Sequence, residues 1–500
     1  MISIRYVIAV LFISAAPTIA SPAQYHFSFN DHCKNAYDEI LKLKLENGSA
    51  LVETEKLNDP LNLVPVLLEN YIDFFRIFIS EDETEFYRLK NNRDKRLTLI
   101  KKNGDKNSPY YLFVLAEIHL HWAIAKIRVG EYFSAVLEIR KAYKQLNENQ
   151  RKFPDFKENL KTLGLLHAVL GSIPDKFKWG LSILGMDGDI RKGMAELKNL
   201  IIYSNDNEFV YREETITLYA FLLFHLEKKG DQAWDLLKAN NFPEKDNLMH
   251  IYTCAQIGVH SNRVEESIEI LNNKPSGAEY LEFPYLEFLA GLARLYKLDE
   301  RADIYFKNFV NNTKSRNHVK DAYQKLAWYH FINDNDTVLY MHYMDKVRSD
   351  GSSTIDADKQ ALQEALDNKI PHKGLLKSRL LFDGGLFGRA IEILDEIDEN
   401  VLADKEKLEL SYRYGRVYHE WGKIDRCVKF YNETIANGSN SPYYFAANAA
   451  LQLAYIYEKK NELETAKSYF ELCLSIKNHE YKNSLDQKAK AGLNRIDKMQ

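Results

Sequence analysis

His119 and His121 come nearest in the sequence to a metal-ligand pair, and Asp187-Gly188-Asp189 and Asn333-Asp334-Asn335-Asp336 resemble pieces of a calcium loop. Neither feature meets the requirement of its chemistry. Zinc needs imidazoles that converge on one ion, and two helix residues in i, i+2 register point to different sides. A calcium loop needs a glycine at its sixth position and a distal bidentate glutamate, a set that neither acidic stretch contains. We therefore expect satisfied helix histidines in the first case, and turns and helix caps in the second. A phosphate-cradling G-x-x-x-x-G-K-[ST] loop and the G-x-S-x-G nucleophile elbow are both absent. Cys33, Cys254, Cys427 and Cys473 are scattered, form no C-x-x-C pair, and mostly fall at small-residue positions of helical patterns. They read as buried thiols rather than as a disulfide or metal set. No catalytic, cofactor-binding or metal-ligating constellation emerges, and no enzyme is expected.

Whatever the chain does must then come from the shape its elements make. Only 22 Gly and 12 Pro in 500 residues mean that long regular elements dominate, and 45% hydrophobic content is enough to fold them. The net charge of −4, with no Lys/Arg-rich run, lacks the electrostatic footprint that a nucleic-acid backbone requires. Arg5, the apolar run Tyr6 to Ile13 and the small-residue site Thr18-Ile19-Ala20 have the form of a cleavable signal peptide. Its apolar run is shorter than the roughly 20 residues of a membrane-spanning helix. Cleavage is expected after Ala20, giving a periplasmic or secreted mature chain with no transmembrane segment.

Amphipathic segments separated by short polar breaks recur along the chain. Tyr414, Gly415 and Tyr418 precede a break at Gly422, and Cys427, Tyr431 and Thr434 follow it; Ala450, Leu453, Ala454 and Tyr457 precede Asn461, and Ala466, Phe470 and Cys473 follow. Earlier copies are Ala123 to Ala142 and Ala290 to Phe306. Small residues let two antiparallel helices approach closely, and the aromatics fill the gap to the next pair. This order resembles the tetratricopeptide repeat, and the chain is similar to exported bacterial proteins built from it. The resemblance implies an all-α solenoid of helix hairpins, a right-handed superhelix that must be stacked and capped. We divide the chain into a signal peptide (1–20), an N-terminal helical segment (21–107), a repeat block (108–348) with an irregular insertion at 171–193, and a C-terminal repeat block (355–500). The Ser349 to Thr354 turn separates the blocks and a helix near Asp486 to Met499 caps the second.

The insertion carries a second resemblance. Gly171-Ser172-Ile173-Pro174, Leu184-Gly185-Met186-Asp187-Gly188-Asp189 and Gly193-Met194-Ala195-Glu196-Leu197 look like a segment of the tetratricopeptide-repeat protein 39 family. The resemblance implies an all-helical scaffold without a known active site, and the export signal departs from that family, whose members are generally intracellular. We expect a short extra helix with Ile173, Phe177, Trp179 and Leu184 buried as a wedge in the stack.

In tetratricopeptide repeats the first helix of each pair lines the groove. Counting back from the repeat positions places Tyr412, Arg416 and His419 on one stripe, with Arg379 and Tyr455 on neighbouring helices. Arginine offers bidentate hydrogen bonds to carboxylates, and tyrosine offers contact area at low entropic cost. The expected function is therefore an exported scaffold that holds a protein or peptide along this groove. The alternative is capture of polysaccharide or oligopeptide for an envelope uptake system; 31 Tyr and 26 Phe would suit carbohydrate stacking, although most recur at packing positions. The N-terminal segment, Tyr25 to Asn107, shows no constellation for catalysis, and the oligomeric state is left open.

Overall fold

The computed structural model describes residues 24–497, and of 175–177 the backbone alone. The signal-peptide expectation lies outside the described residues. Helices α1 (Asp31–Leu41), α2 (Leu45–Asn58), α3 (Val64–Ser80) and α4 (Glu83–Asn103) form the N-terminal segment. Hairpins follow: α5 (Pro109–Arg128) with α6 (Tyr132–Lys152), then α7 (Glu158–Gly171) and α8 (Asp175–Ile183), with α9 (Ile190–Asp206) as the partner of α7. Next come α10 (Arg212–His225) with α11 (Gly230–Ala239), α12 (Leu248–Val259) with α13 (Val264–Asn272), and α14 (Tyr285–Tyr296) with α15 (Ala302–Asn312). A three-helix unit, α16 (Val319–Tyr329), α17 (Thr337–Ser349) and α18 (Asp356–Asp367), precedes α19 (Lys373–Asp383) with α20 (Phe387–Asp395). The last pairs are α21 (Asp404–Glu420) with α22 (Ile424–Gly438) and α23 (Phe445–Lys459) with α24 (Leu463–Ser475), closed by α25 (Lys482–Ile496).

First helices pack on their own partners and on the first helix of the next pair, with α14 reaching past the three-helix unit to α19, which makes the molecule an all-α repeat solenoid. The packing follows the sequence pattern. Gly291 of α14 and Gly415 of α21 lie against the rings of Phe306 and Tyr431 on their second helices, where a Cβ would collide with the aromatic. Ala390, Cys427 and Ala466 are fully buried at the equivalent second-helix position. All four cysteines are buried and free. The loop Ser349 to Thr354, expected to separate two blocks, joins α17 to α18, and Val347, Ala361 and Ala365 on its two sides share one apolar cluster with α16. The core continues through it.

The insertion differs from expectation. Trp179 is 67% exposed and Ile183 73% exposed, while Ile173, Leu181 and Leu184 are only partly buried against the core. The side chain of Phe177 lies outside the described residues. The reason is glycine contact: a Cβ on Gly188 would strike the backbone of Leu170 and Gly171, and one on Gly193 would strike Gly164 and Ala168. Helices α7 and α9 therefore close directly on each other, the two ends of the excursion meet, and α8 is left outside the seam rather than wedged within it.

The N-terminal helices run along the first-helix side of the stack. Lys34 pairs with Glu208 at 2.5 Å just before α10, the Leu281 amide before α14 donates to the Leu43 carbonyl at 2.8 Å, and Lys44 pairs with Asp246 before α12 at 2.8 Å. Ser315 and Asn317, before α16, each donate to the Glu81 carboxylate at 2.8 Å. The face that the sequence pattern assigns to a groove is thus filled by the chain itself from α7 to the start of α16.

Candidate functional site

Beyond α16 the predicted stripe lies in part on half-exposed side chains. Arg379 on α19 rests its guanidinium 5.0 Å from the centre of the Trp328 ring on α16, with the Asp383 carboxylate at 3.9 Å and 42% of the side chain exposed. Arg416 on α21 lies over Phe382 at 5.1 Å, is 4.0 Å from Glu420 and keeps 30% exposure. Separations of 3.9–4.0 Å are ion pairs without hydrogen bonds, so both guanidinium forks retain donors. The buried Nε of Arg416 has no hydrogen-bond partner among the described residues. Asp383 sits between them; burial pushes its carboxyl above the ordinary carboxylate range, against the pull of Arg379, Arg413, Lys325 and Arg416.

Of the other three predicted members, Tyr412 is buried and His419 and Tyr455 are half-buried. Tyr412 is 5% exposed, its hydroxyl accepts from Asn448 Nδ2 at 2.8 Å and Arg416 Nη1 at 3.4 Å, and its ring packs on Tyr444 and Phe445. It positions Arg416. His419, one turn on, stands edge-on to Tyr431 at 6.0 Å, and burial lowers its pKa. Tyr455 belongs to the next repeat, where it packs edge-on against Phe470 and under Arg495. Sequence reasoning missed Lys325 and Trp328 on α16, and also Phe382, Asp383 and Arg413, which stand on the helices of Arg379 and Arg416 themselves. Lys325 is held by Asp321 at 2.7 Å and lies 4.1 Å from the Trp328 ring, and Trp328 donates to Glu364 at 2.7 Å.

A second polar cluster is sealed inside the N-terminal half. Lys161 of α7, 1% exposed, donates from Nζ to Glu117 of α5 at 2.7 Å, to Glu214 of α10 at 2.8 Å and to the Tyr71 hydroxyl of α3 at 3.1 Å. Tyr37 of α1 and Tyr71 donate to Glu214 at 2.5 and 2.9 Å, and Thr162 donates to Glu117. Asn70 is oriented by Trp122 and donates to Nδ1 of His121, leaving that ring neutral; burial pulls its pKa down to about 4. Burial works against charge on Glu117 as well, yet the coulombic pull of Lys161 holds its carboxyl below the ordinary value.

Glu117, His121 and Glu214 present ligand atoms within 4.8 Å of one another. The Lys161 ammonium already bridges the two carboxylates, so a metal there would have to displace a buried cation. What the cluster does is tie α1 and α3 to α5, α7 and α10. His119 points away from His121, to Glu138 at 2.6 Å. Asp189 caps α9, and Asp336 caps α17 by accepting from the Val338 and Leu339 amides, so both acidic stretches serve helix ends. A cavity of about 220 Å³ lies where the end of α3 meets α12 and the loop before α16; its acid, Glu81, is engaged by Arg128, Ser315 and Asn317.

Comparison with known proteins adds one local finding: residues 447–480, covering most of α23 and all of α24, match the tetratricopeptide-repeat family model. No curated protein sequence matches the chain. Among solved structures, one chain titled "Structure of Naa15/Naa10 bound to HypK-THB" is similar over 93% of this chain and 66% of its own length, at 14% identity and a TM-score of 0.25. Another, "Crystal structure of APC/C hetero-tetramer Cut9-Hcn1", is similar over 92% and 95% at 12% identity and the same TM-score of 0.25. This chain thus spans just under two thirds of the first, and likenesses so distant carry no argument about function. The molecule is an all-helical repeat solenoid. A tetratricopeptide repeat lies at residues 447–480 within it.

Proposed function

We propose that the protein is an exported interaction scaffold that holds a protein or peptide with acidic groups on the part of its first-helix face from α16 to α21. One observation carries this reading. The chain's own helices α1–α3 fill the face up to α16, whereas Arg379 and Arg416 beyond it stay 42% and 30% exposed, each backed by an aromatic ring and each with donors to spare. Such an arginine, desolvated on one side and free on the other, suits a carboxylate. Affinity capture from the native envelope fraction, with wild-type chain and the Arg379→Ala/Arg416→Ala variant as baits, tests it. A partner retained by the first and lost by the second is expected; equal retention contradicts the proposal.

Polysaccharide capture remains the second reading because of one feature on α21 and α22. Tyr414 stacks on Phe430 at 4.5 Å, and Tyr418 lies parallel to the exposed Trp421 at 6.5 Å with an interplanar angle of 2°. The likeness of the insertion to the tetratricopeptide-repeat protein 39 family is kept as a proposal about local structure alone.

A further inference from the structure

The excursion that carries α8 is built rather than loose. Its ends are clamped where Gly171 meets Gly188, and its last turn is fixed to α6, with Arg140 Nε donating to the Leu184 carbonyl at 2.8 Å and the Asp187 amide to the Tyr143 hydroxyl at 3.3 Å. From this base α8 shows solvent two large apolar side chains one turn apart, Trp179 and Ile183. Helix α6, to which it is fixed, has its own exposed apolar row: Phe133 at 81%, then Val136 and Leu137, with Arg140 and Lys144 further along the same helical face. Exposed apolar groups gathered in this way mark an interaction surface.

The charge around them is mostly of one sign. Arg140, Lys141 and Lys144 lie on α6, and Arg191 and Lys192 open α9 directly after the excursion. The acids nearby are largely engaged: Glu138 with His119, Arg93 and, at 3.7 Å, Lys141, Glu196 with His167 and, at 4.0 Å, Lys192, Glu131 with Ser134, and Asp189 as the cap of α9, leaving Asp187 beside them and Lys144 and Arg191 as further bases. Two cavities lined by described residues lie elsewhere, one at the end of α3 and one between α2 and α4. A partner here must therefore accept protruding side chains on two helices, and it must carry negative charge.

We propose that α8 and the outer face of α6 dock the protein peripherally on an anionic lipid surface. Trp179, Ile183 and Phe133 enter the boundary between headgroups and acyl chains, where amphipathic aromatic residues prefer to lie, and the basic residues of α6 and α9 meet the headgroups. No described helix is long and apolar enough to cross a membrane, so attachment through these residues is from one side. This surface is separate from the Arg379 and Arg416 site.

Flotation of the full chain without residues 1–20, on vesicles of phosphatidylcholine with and without phosphatidylglycerol, tests the proposal, with intrinsic fluorescence as a second readout. Of the five tryptophans, Trp122, Trp234 and Trp328 are buried and Trp179 is the most exposed, so a blue shift on binding reports chiefly on α8. Flotation with anionic vesicles and a blue shift are expected, both lost in Trp179→Ala/Ile183→Ser. Lys141→Glu/Lys144→Glu should weaken binding roughly tenfold or more while keeping the helical spectrum. Absence of flotation overturns the proposal. So does equal flotation on uncharged vesicles, or flotation unchanged in both variants.

Discussion

Replacing Lys161 by Met is the most informative perturbation of the buried cluster. Methionine nearly matches the lysine stem in volume, so the change removes one charge and creates little cavity. Lys161 and Glu117 are each 1% exposed, and Glu214 is largely covered, so the variant leaves two carboxylates in the interior with no cation between them. Removing one partner of such a pair costs about 3–5 kcal/mol, and the remaining donors, Tyr37, Tyr71 and Thr162, offset only part of it. The pH dependence carries a distinct sign. In the wild type Glu117 has a lowered folded pKa, so its contribution is present above the ordinary carboxylate value and fades only as pH falls through that lowered value. In the variant, burial outweighs the remaining donors and raises the carboxylate pKa, so folding takes up a proton and stability grows as pH falls. The deficit should therefore be largest near pH 7 and shrink toward about pH 5. Because a solenoid loosens locally, amide hydrogen exchange is the fitting assay. Protection should drop in α1, α3, α5, α7 and α10 and hold in α21 to α24. An unchanged exchange pattern, or a deficit independent of pH, would refute the reasoning.

Trp179→Ala, at an exposed position, should change thermal stability by no more than about 0.5 kcal/mol; a large loss would restore the wedge. Gly193→Ala puts a methyl group against the Gly164 carbonyl and the backbone of Ala168, so a loss of about 1–3 kcal/mol is expected in chemical denaturation, and a neutral result would mean that α7 and α9 are less tightly seated. Since Asp383 has a raised pKa and lies among four cations, it should take up its proton at a higher pH than an ordinary carboxylate as the solution is acidified, strengthening binding of an anionic partner, with Asp383→Asn removing that dependence. N-terminal sequencing of the native protein should begin at Ser21; an intact Met1 on a cytosolic protein would contradict export.

The repeat architecture was legible because its determinants are local. A small residue facing an aromatic, as in Gly415 with Tyr431, leaves a mark at fixed spacing along a helix pair. The insertion was misjudged because composition cannot tell an apolar residue that faces inward from one that faces out; the outcome for Trp179 depends on Gly171, Gly188 and Gly193 closing the seam beneath it. Tyr412 had the right register for the stripe, yet the neighbouring repeat covers it through Tyr444 and Phe445. The Lys161 cluster left one trace, Glu117 within the apolar run of α5, since a charge in such a run demands a buried partner. Its partners stand at positions 37, 71, 161 and 214, and only the tertiary fold brings them together.

The most direct measurement of the central claim is a hydrogen-exchange footprint of the chain with and without a captured partner. New protection is expected in α16, α19 and the part of α21 around Arg416, with exchange in α1 to α3 unchanged because those helices already occupy their stretch of the face. Protection confined to α6 and α8, or to α23 to α25, would contradict it.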